Sequence, residues 1–190
     1  MARKESITVD MILNAAFEMT RRDGLSGVTA RRLAQEAGCS TQPIFRVYKN
    51  MAELSGAVYA RAVEYFRTYY AEFPRTGTSP FANLGMAYIA FARKEKNLFK
   101  LLFVDTGALG EGEDLPERVS MYELLNGAEG NVVFEINLAK SQGCKDPGGM
   151  FMKMWIFIHG AACMTLSGDY DLTDEETMNL LEKAYQSFNA

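Results

Sequence analysis

Histidine is almost missing from this sequence: of 190 residues, only His159 carries an imidazole. A single chain therefore cannot by itself build a histidine-rich metal site. Cysteine is scarce as well. Cys39, Cys144 and Cys163 are far apart, odd in number and form no CxxC pair, so neither a zinc ribbon nor a thioredoxin-like centre is supported. Reduced thiols in a cytoplasm fit this usage best. There is no Gly-Lys-Ser/Thr phosphate loop. Asp169-x-Asp171 has the start of a calcium loop, but Asp174 stands where glycine is required and Leu180 where the bidentate glutamate belongs. These absences point away from an enzyme and imply no metal and no cofactor. Fixed-period repeats and low-complexity tracts are also lacking. After Arg3, Lys4 and Glu5 comes a mixed amphipathic stretch, not the apolar core of a secretory leader. The most apolar window, 150–166, contains Lys153 and His159 and is short for a bilayer span, so it reads as a buried helix. The expectation is a cytoplasmic protein with no membrane partner.

The formal net charge is −4, which by itself disfavours a nucleic-acid partner. Its distribution says otherwise. Residues 1–50 hold eight Lys/Arg against five Asp/Glu, a net +3, whereas the remainder carries −7. A basic footprint on DNA would lie in the first segment.

What the chain has in plenty is helical period. Val9, Ile12, Leu13, Ala16 and Phe17 follow i, i+3, i+4, i+7, i+8, one stripe of an amphipathic helix that Gly24 ends. Thr29 is a good cap for a short second helix burying Leu33, Ala34 and Ala37. Gly38 supplies a turn residue and Ser40 a second cap, so about three residues separate this helix from the next. Pro43 falls in the first turn of that third helix, where its missing N–H has no intrahelical partner to lose. Asn50 and Glu53 then open a long helix with Leu54, Val58, Ala62, Tyr65 and Tyr69 along one side.

Pro74–Pro80 is a turn-rich joint and the expected domain boundary, giving domains at 1–50, with the connecting helix running to about 73, and at 74–190. Beyond it, Ser79-Pro80 starts a helix with Phe81, Leu84, Tyr88 and Phe91 inward. Asn97 is placed to cap a short one through Val104. Residues 105–114 read as a mobile loop, and a helix is expected from about Pro116 to Leu125. The alternation across Val132–Ala139 suits a strand as well as a helix. Helix is the reading, since an isolated strand would lack a partner. After Pro147 comes the apolar helix, and Thr173 with Glu176 caps a last one burying Leu181, Ala184, Tyr185 and Phe188. The fold class is all-α: an N-terminal three-helix helix-turn-helix domain and a C-terminal helical domain.

The third helix divides by geometry. Ile44, Val47 and Tyr48 share one face, suited to packing on Leu33 and the first helix. Thr41, Gln42, Phe45, Arg46 and Lys49 share the other. The second face offers what a major groove reads: guanidinium for guanine, amide for adenine, methyl and aromatic edges for thymine. Thr29, Arg31 and Ser40 complete the candidate DNA-binding set, with Arg31, Lys49 and the helix starts at Thr29 and Asn50 meeting phosphates. From spacing alone a short polar face is as often merely solvated.

The run Gly27-Val28-Thr29-Ala30-Arg31-Arg32-Leu33-Ala34-Gln35-Glu36-Ala37-Gly38-Cys39-Ser40-Thr41-Gln42-Pro43-Ile44-Phe45-Arg46-Val47-Tyr48-Lys49-Asn50-Met51-Ala52-Glu53-Leu54 resembles the DNA-binding segment of TetR-type (TetR/AcrR) regulators. With the preceding helix the resemblance covers about residues 7–55. The threonine cap, the Leu-Ala pair, the Ala-Gly turn, the serine cap and the closing Glu-Leu all fall in register. The sequence departs where the family has a small residue and threonine (Gln42, Pro43), tyrosine (Phe45), histidine (Val47) and lysine (Met51). Phe45 has no hydroxyl for a phosphate and Met51 no ammonium, which leaves Arg46 and Lys49 to supply charge.

The resemblance implies a homodimer that places two recognition helices in successive major grooves of a double-stranded, near-palindromic operator. It also implies a C-terminal domain that binds a small effector and pairs through its last two helices. On this reading the protein is a repressor released by its effector. Met86, Phe99, Phe103, Met121, Met152, Trp155 and His159 are the candidate effector contacts, although filled core is the commoner use of such residues. The rival reading is a helical small-molecule binder of the same fold that no longer binds specific DNA.

Overall fold

A computed structural model describes residues 7–105, 109 and 118–190. The expected loop at 105–114 and the expected helix start at Pro116 lie almost wholly outside these. Among the described residues every regular element is a helix. They are α1 (Val9–Asp23), α2 (Ala30–Glu36), α3 (Gln42–Val47), α4 (Met51–Glu72), α5 (Ala82–Lys94), α6 (Lys96–Phe99), α7 (Met121–Asn126), α8 (Asn131–Ser141), α9 (Pro147–Ser167) and α10 (Asp174–Asn189). A 3₁₀ turn, Leu25–Gly27, follows α1, and a π-helical turn, Lys100–Val104, extends α6. The all-α expectation holds, and Val132–Ala139 is helical within α8.

The described chain forms two compact units. The first comprises residues up to Tyr65 together with Asn97–Arg118, and the second comprises Phe66–Lys96 with Val119–Ala190. The chain passes from one unit to the other at 65/66, 96/97 and 118/119, and α4 contributes to both units. The composition-based joint at Pro74–Pro80 falls inside the second unit.

In the first unit Ile12, Ala16, Met19, Leu33, Ala34, Ile44, Tyr48, Leu54 and Val58 make one buried cluster. Thr8 caps α1 through the Met11 N–H, 3.2 Å, and Gly24 ends it at φ 82°. Asn97 does not cap its own helix. Instead α6 begins one residue earlier, and the Asn97 amide donates to the carbonyls of Arg21 (2.9 Å) and Arg22 (3.0 Å). These are orphan acceptors at the end of α1. Arg118 similarly donates to the carbonyls of Leu101, Leu102 and Asp105, each at 3.1 Å, and stacks over the Tyr59 ring.

In the second unit α5 packs along α9 and α10. Gly85 permits this: a β-carbon there would come within 2.9 Å of Leu181 and 3.0 Å of Ile158. The helix expected from Ser79-Pro80 begins instead at Ala82, because Phe81 takes a left-handed conformation, φ 66°. Phe81 is fully buried, and its N–H donates 2.6 Å to the carboxylate of Glu135. Helix α7 starts at Met121, where Ser120 and Glu123 cap each other reciprocally, as Thr173 and Glu176 do for α10. The apolar stretch, which by sequence is short for a bilayer, forms the 21-residue helix α9, long and apolar enough to cross one by length and composition. Its inner face is committed to this unit's core through Met150, Met154, Trp155, Ile158, Ala161 and Ala162.

Candidate nucleic-acid interface

The turn between α2 and α3 is built by backbone hydrogen bonding. The N–H of Cys39 reaches back to Ala34, 2.9 Å, and that of Gly38 to Gln35, 3.2 Å, with Gly38 at φ 65°. This is the paired closure that a left-handed residue makes at a helix end. The turn is longer than the sequence implies: residues 37–41 separate the two helices. Thr41, not Ser40, stands at the cap position of α3, and no side chain caps that end. The hydroxyl of Ser40 therefore does not serve Gln42. Thr41 already has near-helical angles (φ −71°, ψ −18°), and its carbonyl accepts from Ile44 and Phe45 at 3.1 and 3.3 Å.

The two faces of α3 separate sharply by burial. Ile44 and Tyr48 lie in the first unit's core with Leu33 and α1, and Val47 packs against it. Thr41, Gln42, Phe45, Arg46 and Lys49 are all exposed, Phe45 to 48%. Thr29 and Ser40 are exposed too. The Thr29 hydroxyl accepts the Arg32 N–H at 3.3 Å and so fixes the start of α2.

The basic side chains here divide into two kinds. Arg22 bridges Glu36 and Asp23, each at 3.2 Å, while Arg32 pairs with Asp23 and donates 2.7 Å to the Gly27 carbonyl. Hydrogen bonds from Arg22, then Arg32, hold the Asp23 carboxyl below the usual range, and Arg22 does the same for Glu36. These arginines brace α2 against the end of α1. Arg31, Arg46 and Lys49 are exposed and join no ion pair among the described residues. Behind Lys49, α4 is capped by Asn50, which accepts from the Glu53 N–H at 2.9 Å. Glu53 returns the bond to the Lys49 N–H, 2.5 Å, one residue earlier than a regular capping box.

Solved structures resemble this arrangement along nearly its whole length. A TetR-like transcriptional regulator from Rhodococcus sp. RHA1 superposes with a TM-score of 0.61 at 16% identity, covering 94% of this chain and 93% of that one. The chain has the TetR-type fold. A Rhodococcus sp. RHA1 protein of unknown function matches with a TM-score of 0.69 at 18% identity over the full length of both chains. A protein from Vibrio parahaemolyticus assigned to the TetR family matches with a TM-score of 0.60 at 16% identity, covering 93% and 96%. No protein-family model matches the sequence, and no curated protein matches it significantly. In the TetR-type fold, α2 and α3 are the helix-turn-helix.

The residues considered for an effector fall into separate groups. Phe99 is buried in the first unit with Phe103 beside it, ring centroids 5.2 Å apart. The other five belong to the second unit, where Met86 and Trp155 are buried and Met121 and Met152 are exposed. His159 is half-buried against Trp155 and accepts or donates a 2.9 Å bond with the Tyr88 hydroxyl at Nδ1. On its other side, Nε2 lies 3.5 Å from the Cys163 sulfur. The sequence shows no adjacent Cys–His pair, yet the i, i+4 spacing on a helix is the signal that brings these two together.

Proposed function

We propose that this protein is a DNA-binding transcription regulator that acts as a homodimer and releases its operator when a small effector binds. The observation that carries this reading is the exposed face of α3, where Thr41, Gln42, Phe45, Arg46 and Lys49 stand together on a helix whose other face is locked into the core. Arg46 and Gln42 are suited to base edges, and Thr41 and Phe45 to a thymine methyl. Arg31 and Lys49, outside the ion-pair brace, meet phosphates.

Two such helices are needed to read a palindrome, and the exposed side of α9 supplies a surface for pairing. Met152, Ile156 and Met164 are exposed there, Ile156 to 66%. Burial against a second α9–α10 pair removes this apolar strip from water, as in a four-helix bundle. The effector belongs to the second unit, and α4, the helix shared by both units, transmits its binding. Release requires the effector to prefer the conformation that does not fit DNA. No group in this reading performs a reaction.

The test is protection of DNA from around the protein's own gene, against scrambled DNA, near physiological salt. A protected near-palindrome bound about a thousandfold or more tighter than scrambled sequence supports the regulator. Absence of binding even at low salt transfers the reading to a helical ligand binder that has lost its DNA. A confirmed ligand that leaves operator affinity unchanged overturns the release scheme.

A further inference from the structure

We infer that His159 and Cys163 are one half of a tetrahedral zinc site that a second copy of this chain completes. The inference rests on the pairing through α9 and α10 proposed above.

The two donors stand one helical turn apart on α9, with Nε2 and Sγ 3.5 Å from each other. Zinc bonds of about 2.3 Å to sulfur and 2.0–2.1 Å to nitrogen, set at the tetrahedral angle, require a separation of about 3.5 Å. The pair thus already has the bite of a zinc chelate. The imidazole is also oriented as a ligand needs. Its Nδ1 lies 2.9 Å from the hydroxyl of Tyr88, which is fully buried, and the Trp155 ring stacks on it at 5.6 Å and 28°. With the metal on Nε2, the ring proton sits on Nδ1 and is donated to the Tyr88 oxygen, the outer-shell partner that fixes a ligating histidine.

One chain is not enough. Among the described residues no group of three or more His, Cys, Asp and Glu side chains gathers anywhere, so a single copy offers two of four ligands. Both donors are half-exposed beside the strip of Met152, Ile156 and Met164. Gly160 lies next to His159 with open space where a side chain would be, which admits a second backbone closely. A twofold axis presents the same pair from the partner and makes a Cys₂His₂ set. The charges balance as well: one Zn²⁺ displaces two thiol protons, and two thiolates cancel its charge within an apolar interface.

The experiment is a titration of the reduced full-length protein with Co²⁺ as a spectroscopic substitute, followed by displacement with Zn²⁺. A thiolate-to-cobalt band with tetrahedral ligand-field absorption, saturating at one metal per two chains and bleached by zinc, is expected. Cys163→Ser removes the band, and Cys39→Ser and Cys144→Ser keep it. Tyr88→Phe weakens affinity about 10–100-fold without altering stoichiometry. Circular dichroism confirms that each variant is folded. No band, a band that survives Cys163→Ser, or saturation at one metal per chain overturns the site. Sedimentation with and without metal separates the two layers of inference. A dimer that shows no cobalt spectrum sinks the zinc site alone, whereas a monomer under both conditions sinks the pairing and the shared site with it.

Discussion

A carboxylate that is 3% exposed needs a donor, and Glu135 finds one in the backbone of Phe81. The bond holds a non-glycine residue at φ 66° and thereby sets where α5 begins. Burial, the largest influence, raises the Glu135 carboxyl above its ordinary value; the Phe81 N–H and Arg75 pull it down less. The folded state therefore holds this proton more tightly than the unfolded chain. Its contribution to stability is complete below about pH 4.3, the unfolded value, and is lost as pH rises through the folded one. Glu135→Gln keeps an oxygen for Phe81 and removes the charge, so its unfolding free energy gains on the parent as pH rises above the ordinary carboxylate value. Glu135→Leu leaves the Phe81 N–H orphaned and costs about 1–3 kcal/mol in denaturant melts at acid pH, where the parent carboxyl holds its proton, and the cost shrinks as pH rises. Equal pH profiles for parent and Gln variant would show that the carboxyl titrates normally. Gly85 acts by having no side chain. Gly85→Ala gains up to about 1 kcal/mol of helix propensity but drives a methyl onto Leu181 and Ile158. A net loss of about 1–2 kcal/mol is expected, and a raised melting temperature would mean that α5 has slack.

At the scale of elements, what is legible in the sequence is whatever neighbours in the chain decide. Thr8–Met11, Thr29–Arg32, Thr173–Glu176 and the glycine turn at Gly38 are bonds across a few residues, and they set the helix limits that residue type suggests. The role of Asn97 is not legible, because its acceptors lie 75 and 76 positions away. The start of α5 escapes a local reading for a similar reason: the left-handed turn at Phe81 depends on Glu135, 54 residues on. Proline and serine-threonine signals do not tell Ser40 from Thr41 as the cap, since adjacent hydroxyls carry the same local preference. The two faces of α3 follow directly from period, as Ile44 and Tyr48 inside and Arg46 and Lys49 outside show. That face carries the next prediction. Arg46→Ala should leave the thermal melt within about 0.5 kcal/mol of the parent, because the side chain is exposed. It should cost about 1–3 kcal/mol of specific operator binding and relax preference at one base pair in each half-site. Equal loss on specific and scrambled DNA would reassign Arg46 to a phosphate.

Over the whole molecule, charge works against the binding of DNA: the chain is net −4, and only its first 50 residues are basic, at +3. Much of that basic charge is already engaged within the protein. Arg22 and Arg32 are bound to Glu36 and Asp23, while the −7 remainder repels a polyanion. Counterion release therefore rests on few groups, with Arg31 and Lys49 foremost among the described residues. The salt dependence of operator binding should be shallow for a dimeric DNA binder. Replacing Arg31 or Lys49 by alanine should flatten the slope of log K against log salt by about two per dimer, one for each copy, and lower affinity for every sequence alike. The same substitution on Arg32 should behave differently. It breaks the brace between α1 and α2, so its effect should appear first in stability, and more so at neutral pH than in acid below the ordinary carboxylate range, where Asp23, held low by its bonds to Arg22 and Arg32, at last gains its proton. Titrations at several salt concentrations on the three variants separate these outcomes. An unchanged slope in Arg31→Ala and Lys49→Ala, with a reduced one in Arg32→Ala, would place the phosphate contacts on the braced arginines and move the interface from α3 towards the junction of α1 and α2.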